Sequence, residues 1–218
     1  MLNSVAKKAI MAVSGAILFG WIVAHMAGNL KVFQGAEKFN HYAEFLRVMG
    51  TPLFPESGIL WLSRTVLLIA VVLHVWSATS LTLQNRRARP LGYEETRGVQ
   101  LDYAARTMRV SGYLIALYIV FHLMHLTWGN AHHAFVPGDA YGNVVRGFQV
   151  APIALVYMAA NLLLGLHLYH GLWSMFQSLG WSHPAYNRFR RPFAVSFSLV
   201  VSVGFVSVPL AVLFGAVS

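Results

Sequence analysis

Asn161-Leu-Leu-Leu-Gly-Leu-His-Leu-Tyr-His-Gly-Leu-Trp173 places His167 and His170 inside an apolar, charge-free run that extends from Val150 to Phe176. The run exceeds the roughly 20 residues a helix needs to cross a hydrocarbon core of about 30 Å. An ionisable side chain at that depth is costly and normally faces the protein interior, so two imidazoles there mark a functional site with partners elsewhere in the chain.

Four further runs have the same character: Ala9–Leu30, Thr65–Asn85, Val110–Trp128 and Phe193–Val217. None shows the alternation over about 10 residues expected of barrel strands. Of 218 residues, 57% are hydrophobic and only 11% charged, far too apolar for a soluble domain. The expected fold is an all-α integral membrane bundle of five transmembrane helices, near residues 9–30, 60–85, 108–129, 150–177 and 193–217. No long repeat or low-complexity stretch divides it, so residues 1–218 read as a single domain.

The net charge of +9 raises the question of nucleic acid, but the basic residues lie between the spans, where membrane topology explains them without a nucleic-acid partner. With the N-terminus inside, Lys7, Lys8, Arg86, Arg87, Arg89, Arg97, Arg106, Arg109, Arg188, Arg190 and Arg191 fall on the inner side. Lys31, Lys38, Arg47, Arg64 and Arg146 fall on the outer side, and 11 against 5 predicts a cytoplasmic N-terminus. The first span follows Lys7-Lys8 as a secretory signal would, but is longer than the 7–15 residues of a signal core. The inner loop from Gln84 to Arg109 is basic enough to meet an acidic cytoplasmic partner. Cysteine is absent, which excludes disulfides, zinc thiolates and an iron–sulfur cluster on this chain.

On the outer side, residues 35–46 carry apolar residues at helical spacing and predict a short interfacial helix, ended by Thr51-Pro52 and Pro55. Gly129 to Gly147 reads as a turn-rich connection. The fifth span holds no ionisable residue and reads as a packing element. Ser14-Gly15, Gly20 and Gly28 give the first helix a small-residue side, suited to close approach by another helix or a bulky ligand.

Six histidines lie within spans: His25, His74, His122, His125, His167 and His170. At about 1.5 Å per residue, His74 and His167 lie about 15 Å from the inner side, and His25 and His122 about 18–22 Å from it. Residues at matching depth on different helices can bind one object, which pairs His74 with His167 and His25 with His122. A lone intramembrane histidine is more often a polar contact between helices; four helices each contributing one at pairable depths favour ligation. Two imidazoles on opposite faces of a macrocycle give a six-coordinate haem suited to electron transfer, whereas zinc or copper wants three or four protein ligands together. Without a Cys-x-x-Cys-His motif the haems would be of b type. His125 and His170, three residues beyond their neighbours, are open between alternative ligand, propionate or quinone contact, and simple hydrogen bonding, with the last two favoured. Gly165 and Gly171 flank His167 and are expected to give a macrocycle room.

These residues resemble a known family. His25-Met26 followed by Gly35-Ala36-Glu37-x-Phe39-Asn40, Gly112 ten residues before His122, and His167-x-x-x-Gly171-Leu172-Trp173-Ser174 are similar to the cytochrome b subunit of bacterial succinate dehydrogenase and fumarate reductase in its five-helix, di-haem form. The resemblance implies His25 and His122 as ligands of a distal haem b, and His74 and His167 as ligands of a proximal haem b. It selects His122 over His125, and His167 over His170. It implies anchorage of a flavoprotein subunit and an iron–sulfur subunit on the cytoplasmic side of a bacterial inner membrane. Electrons would pass to a quinone, menaquinone or ubiquinone, and the dicarboxylate chemistry would lie on the other subunits. Glu37, His41, Glu44, Arg64, Ser14, Arg106 and His170 are candidate quinone contacts, none singled out; Arg64, Lys31 or Arg109 could pair with haem propionates. The alternatives are the cytochrome b subunit of a hydrogenase or formate dehydrogenase, and a haem-free anchor or transporter. The ordered motifs disfavour the first; the lack of broken helices and internal repeats disfavours a transporter.

Overall fold

The computed structural model describes residues 3–88, 99–181 and 183–218, the side chains of 99–106 excepted. Among these residues the chain forms seven α-helices and no strand: α1 (Ser4–Asn29), α2 (Ala36–Val48), α3 (Gly58–Ala88), α4 (Val99–His122), α5 (Ala140–Gln149), α6 (Ala151–Ser178) and α7 (Pro184–Leu213). A 3₁₀ turn, Leu30–Gln34, follows α1, and a π-helical turn, Leu123–Thr127, follows α4. Five of the helices, α1, α3, α4 with its π turn, α6 and α7, are long and apolar enough to cross a membrane. Their outer surfaces expose large apolar residues such as Leu68, Leu117, Leu166 and Val203. Helices satisfy their own backbone polar groups, so such a surface is stable against hydrocarbon.

The spans alternate in direction, which brings α2 and α5 together at the end of the bundle away from the N-terminus. There the Tyr141 N–H donates to Asn40 Oδ1 at 2.9 Å, and Asn40 Nδ2 donates to Asp139 Oδ1 at 3.3 Å. Beneath this polar seam Val32, Phe39, Val145, Phe148, Ala154, Tyr157, Val208 and Val212 form the buried core. The core thus sits under a two-helix cap.

The cap departs from the sequence reading in one respect. Residues 129–147 are not turn-rich throughout, because Asp139 caps α5 by accepting from the Gly142 N–H at 2.9 Å, and one face of α5 buries Val145 and Phe148. At the other end of the bundle, α7 begins at Pro184, nine residues before the predicted start of the fifth span. Proline suits the first helical turn, and the His183 side chain accepts the Ala185 N–H at 3.2 Å. Arg188, Arg190 and Arg191 therefore lie on the helix, and Arg190 is buried, donating to the Trp173 carbonyl at 2.6 Å and Asn187 Oδ1 at 3.0 Å. Arg89, Arg97 and the Arg106 side chain, part of the predicted basic docking loop, lie outside the described residues.

Candidate functional site

Beneath the cap, α1, α3, α4 and α6 do not close on one another, and Phe39 of α2 and Phe148 of α5 line the space between them. The helices enclose a cavity of about 2490 Å³, which also reaches Phe205, Val208 and Pro209 of α7. A small-molecule pocket holds roughly 300–1,000 Å³, so there is space here for more than one ligand. His25, His74, His122 and His167 all line it; His125 and His170 do not.

The four lining histidines meet as two pairs. The rings of His74 and His167 stand 6.3 Å apart between centroids, inclined at 66°. Those of His25 and His122 stand 5.8 Å apart, inclined at 81°. With about 2.0 Å from metal to imidazole nitrogen and about 1.1 Å from nitrogen to ring centroid, two opposed axial imidazoles have centroids about 6.2 Å apart. The 6.3 Å pair matches that spacing and the 5.8 Å pair falls about 0.4 Å short of it. The pairs are separated by the eleven residues from Ser111, beside His167, to His122, about 16 Å along α4. Among the described residues no cluster of three or more metal-ligating side chains forms. A pair of imidazoles suits a metal whose remaining positions a macrocycle fills.

Hydrogen bonds decide which ring nitrogen faces the cavity. His74 Nδ1 lies 3.1 Å from the Met11 carbonyl, which can only accept, so the hydrogen is on Nδ1 and the Nε2 lone pair is free. The Ser14 hydroxyl, 3.3 Å from the same nitrogen, donates to the Ile10 carbonyl at 2.6 Å. The Ser111 hydroxyl donates to the Met108 carbonyl at 3.2 Å and accepts from His167 Nδ1 at 3.4 Å. The His74 and His167 imidazoles are thus held in one way by two helices.

The likeness is written in the sequence. Met11-Ala-Val-Ser-Gly15 on α1 and Met108-Arg-Val-Ser-Gly112 on α4 share the pattern Met-x-Val-Ser-Gly, each with histidine ten residues after the glycine. It is a short internal repeat, where the sequence reading had found no long one. Each glycine backs a ring: a Cβ at Gly15 would lie 3.2 Å from His74 Cε1, and one at Gly112 would lie 3.4 Å from His167 Cε1. Gly171 lines the cavity with open space before it, but Gly165 turns away and packs against the Ser202 hydroxyl of α7. Room near His167 comes from Gly112 and Gly171, and Gly165 is a helix-packing residue.

The His25–His122 pair has a different surround. His122 Nδ1 lies 3.3 Å from the Tyr157 hydroxyl, and His125 Nδ1 lies 3.0 Å from the same oxygen. His25 stacks on Trp21 at 5.6 Å and meets Phe205 at 5.9 Å. Tyr157 is 3% exposed, and sequence reading passed over it as one aromatic among many. His170 lies tilted against Tyr169 at 4.9 Å, partly buried and off the cavity.

Of the candidate quinone contacts, Glu37, His41 and Glu44 are exposed on α2 and do not line the cavity, whereas Ser14 supports His74. Arg64 lines one end of the cavity with its guanidinium 4.9 Å from the Trp61 ring. Lys8, Arg86 and Arg109 line the other, and Lys31 sits over the Tyr42 ring.

Residues 102–206, from α4 through most of α7, match the model of the succinate dehydrogenase/fumarate reductase transmembrane subunit family. Over that stretch the chain is similar to this family. No curated protein and no solved structure matches it. The matched stretch contains one histidine of each pair, His122 and His167, together with Tyr157. The match and the five helices long and apolar enough to cross a membrane both point to a multi-pass membrane subunit.

Proposed function

We propose that the chain is the di-haem b membrane anchor of a succinate:quinone oxidoreductase, passing electrons between a cytoplasmic iron–sulfur subunit and membrane quinone. His74 and His167 would hold the proximal haem, and His25 and His122 the distal one. Residues 1–218 act as one unit in a bacterial cytoplasmic membrane, with the N-terminus and the proximal pair toward the cytoplasm. The observation that carries this reading is the meeting of two imidazole pairs at 6.3 and 5.8 Å on the wall of one cavity.

A haem at each pair supplies one-electron transfer, with a potential set by its ligands and their hydrogen bonds. The residues of this chain bind and orient. The Met11 carbonyl and Ser111 hydroxyl hold the proximal imidazoles with Nδ1 engaged, which fixes the tautomer and raises ligand basicity. The α2–α5 cap and the core beneath it pack over the His25–His122 end of the bundle. Lys8, Arg86 and Arg109 at one end of the cavity, and Arg64 at the other, could pair with the carboxylates of a bound macrocycle. The dicarboxylate reaction belongs to the partner flavoprotein, and this chain carries no catalytic residue for it.

The test is a reduced-minus-oxidised spectrum with a haem count on the purified complex. Two b-type haems per copy of this chain, reducible by succinate, are expected. One haem or none overturns the reading.

A further inference from the structure

The residue that most needs explaining is His125. It is 1% exposed, does not face the cavity, and lies on the π-helical turn. Turns of this kind are rare and concentrate at functional sites. Here the turn is closed by the Trp128 N–H donating to the Leu123 carbonyl at 2.9 Å. In a regular helix, residues three apart are offset by about 4.5 Å along the axis. Across the start of this turn the Nδ1 atoms of His122 and His125 instead converge on one oxygen, that of Tyr157.

The surround holds His125 on that oxygen. Phe121 stacks on it at 5.6 Å and 9°, and His132 stacks at 4.6 Å and 20°. His132 is itself committed: its Nδ1 accepts the Ala134 N–H at 3.0 Å and its Nε2 donates to the Asn143 carbonyl at 2.9 Å. Gly147 of α5 leaves the needed space, since a Cβ there would lie 2.7 Å from His125 Cε1.

We infer that His122, Tyr157 and His125 form a directed hydrogen-bond chain that sets the electron-donating strength of His122, making Tyr157 and His125 positioning residues for the potential of the distal haem. The direction follows from donor counting. His122 must present the Nε2 lone pair to the cavity if it is to ligate, so its hydrogen is on Nδ1 and donates to Tyr157 Oη. Tyrosine has one hydrogen, and with Oη accepting from His122, its O–H donates to His125 Nδ1. A ligating imidazole whose Nδ1–H has an acceptor is a stronger donor and favours the oxidised iron. The chain therefore lowers the potential of the haem at the distal pair. This inference rests on the di-haem reading above.

Redox titration of the assembled complex, followed optically and by electron paramagnetic resonance, tests it. The distal signal is the one missing from His25→Ala. Tyr157→Phe removes the acceptor and keeps the ring; it is expected to retain two haems, raise the midpoint potential of the distal haem and leave the other unmoved. His125→Leu is expected to shift the same haem in the same direction by less. Unchanged potentials in Tyr157→Phe, or a shift confined to the other haem, overturn the inference. Should Tyr157→Phe lose a haem, His125→Leu decides: a distal shift upholds the chain and an unchanged potential overturns it. Fewer than two haems in the unsubstituted protein would be a failure of the di-haem reading itself, and would remove this inference with it.

Discussion

Gly15 of α1 lies against the ring of His74 on α3, so closely that a single added carbon would stand 3.2 Å from His74 Cε1. Contact at that distance forces the ring to move by a few tenths of an ångström, and His74 is held by the Met11 carbonyl of the same helix that would push it. Gly15→Val is therefore expected to lose or loosen the proximal haem while sparing the distal one. Gly112→Ala, at an ordinary 3.4 Å from His167, is expected to retain both. Haem counts with low-spin resonance spectra of each variant check the contrast, and loss of both haems in Gly15→Val would show a folding defect instead.

His167 and His170 separate in the same way. His167→Ala removes a residue from the cavity wall opposite His74, and is expected to leave one haem per chain. His170→Ala removes a partly buried ring that does not line the cavity, and is expected to leave two. Two haems surviving in His167→Ala would exclude His167 as a ligand.

Gly165 and Gly171 bracket the same histidine and are expected to behave oppositely. A side chain at Gly165 collides with the Ser202 hydroxyl, so Gly165→Leu separates α6 from α7, at the about 1–3 kcal/mol typical of overpacking. Gly171→Ala meets open space and should leave thermal stability in detergent unchanged. A melting temperature unaffected by Gly165→Leu would contradict the packing described here.

The cap carries a pH dependence. The Gly142 N–H holds the Asp139 carboxyl below the ordinary carboxylate value against the opposing effect of burial, aided by the Arg146 and Asn40 side chains. A depressed value favours the folded cap at neutral pH, and this contribution is lost as pH falls below about 4 toward the lowered value. Hydrogen exchange in α5 and α2 should rise on acidification over that range, and Asp139→Ala should raise it already at pH 7. The loss in Asp139→Ala should be about 1 kcal/mol, typical of a helix N-cap. The Arg146 ion pair at 3.0 Å is a third exposed on both sides and adds little. Equal exchange in Asp139→Ala and the unsubstituted protein at pH 7 would count against the cap.

The spans were legible because length and hydropathy answer directly to the thickness of a bilayer, and the histidine pairs because helical rise converts residue number into depth. Other features depend on tertiary contact and left weaker signals. Gly142 and Gly147 read as turn residues, yet Gly142 supplies the N–H that Asp139 caps, and Gly147 clears the rings of His125 and His132. The π turn has no local signature, since an i to i+5 hydrogen bond forms where surrounding packing favours it. Tyr157 looked like any aromatic of an apolar helix; only the convergence of two imidazoles on its hydroxyl distinguishes it. The repeat Met-x-Val-Ser-Gly was legible in full, but is too short to stand out until both copies are seen beside a histidine.

That repeat bears on assembly. One copy lies on α1, which with α3 supplies His25 and His74; the other lies on α4, which with α6 supplies His122 and His167. Neither helical hairpin owns both members of either pair. A cofactor captured at either level would fasten the first hairpin to the second, and its binding free energy would add directly to the cohesion of the bundle. Capture would then wait for the third span at the His25–His122 level and for the fourth at the His74–His167 level, which would make occupation of both a checkpoint on the first four spans.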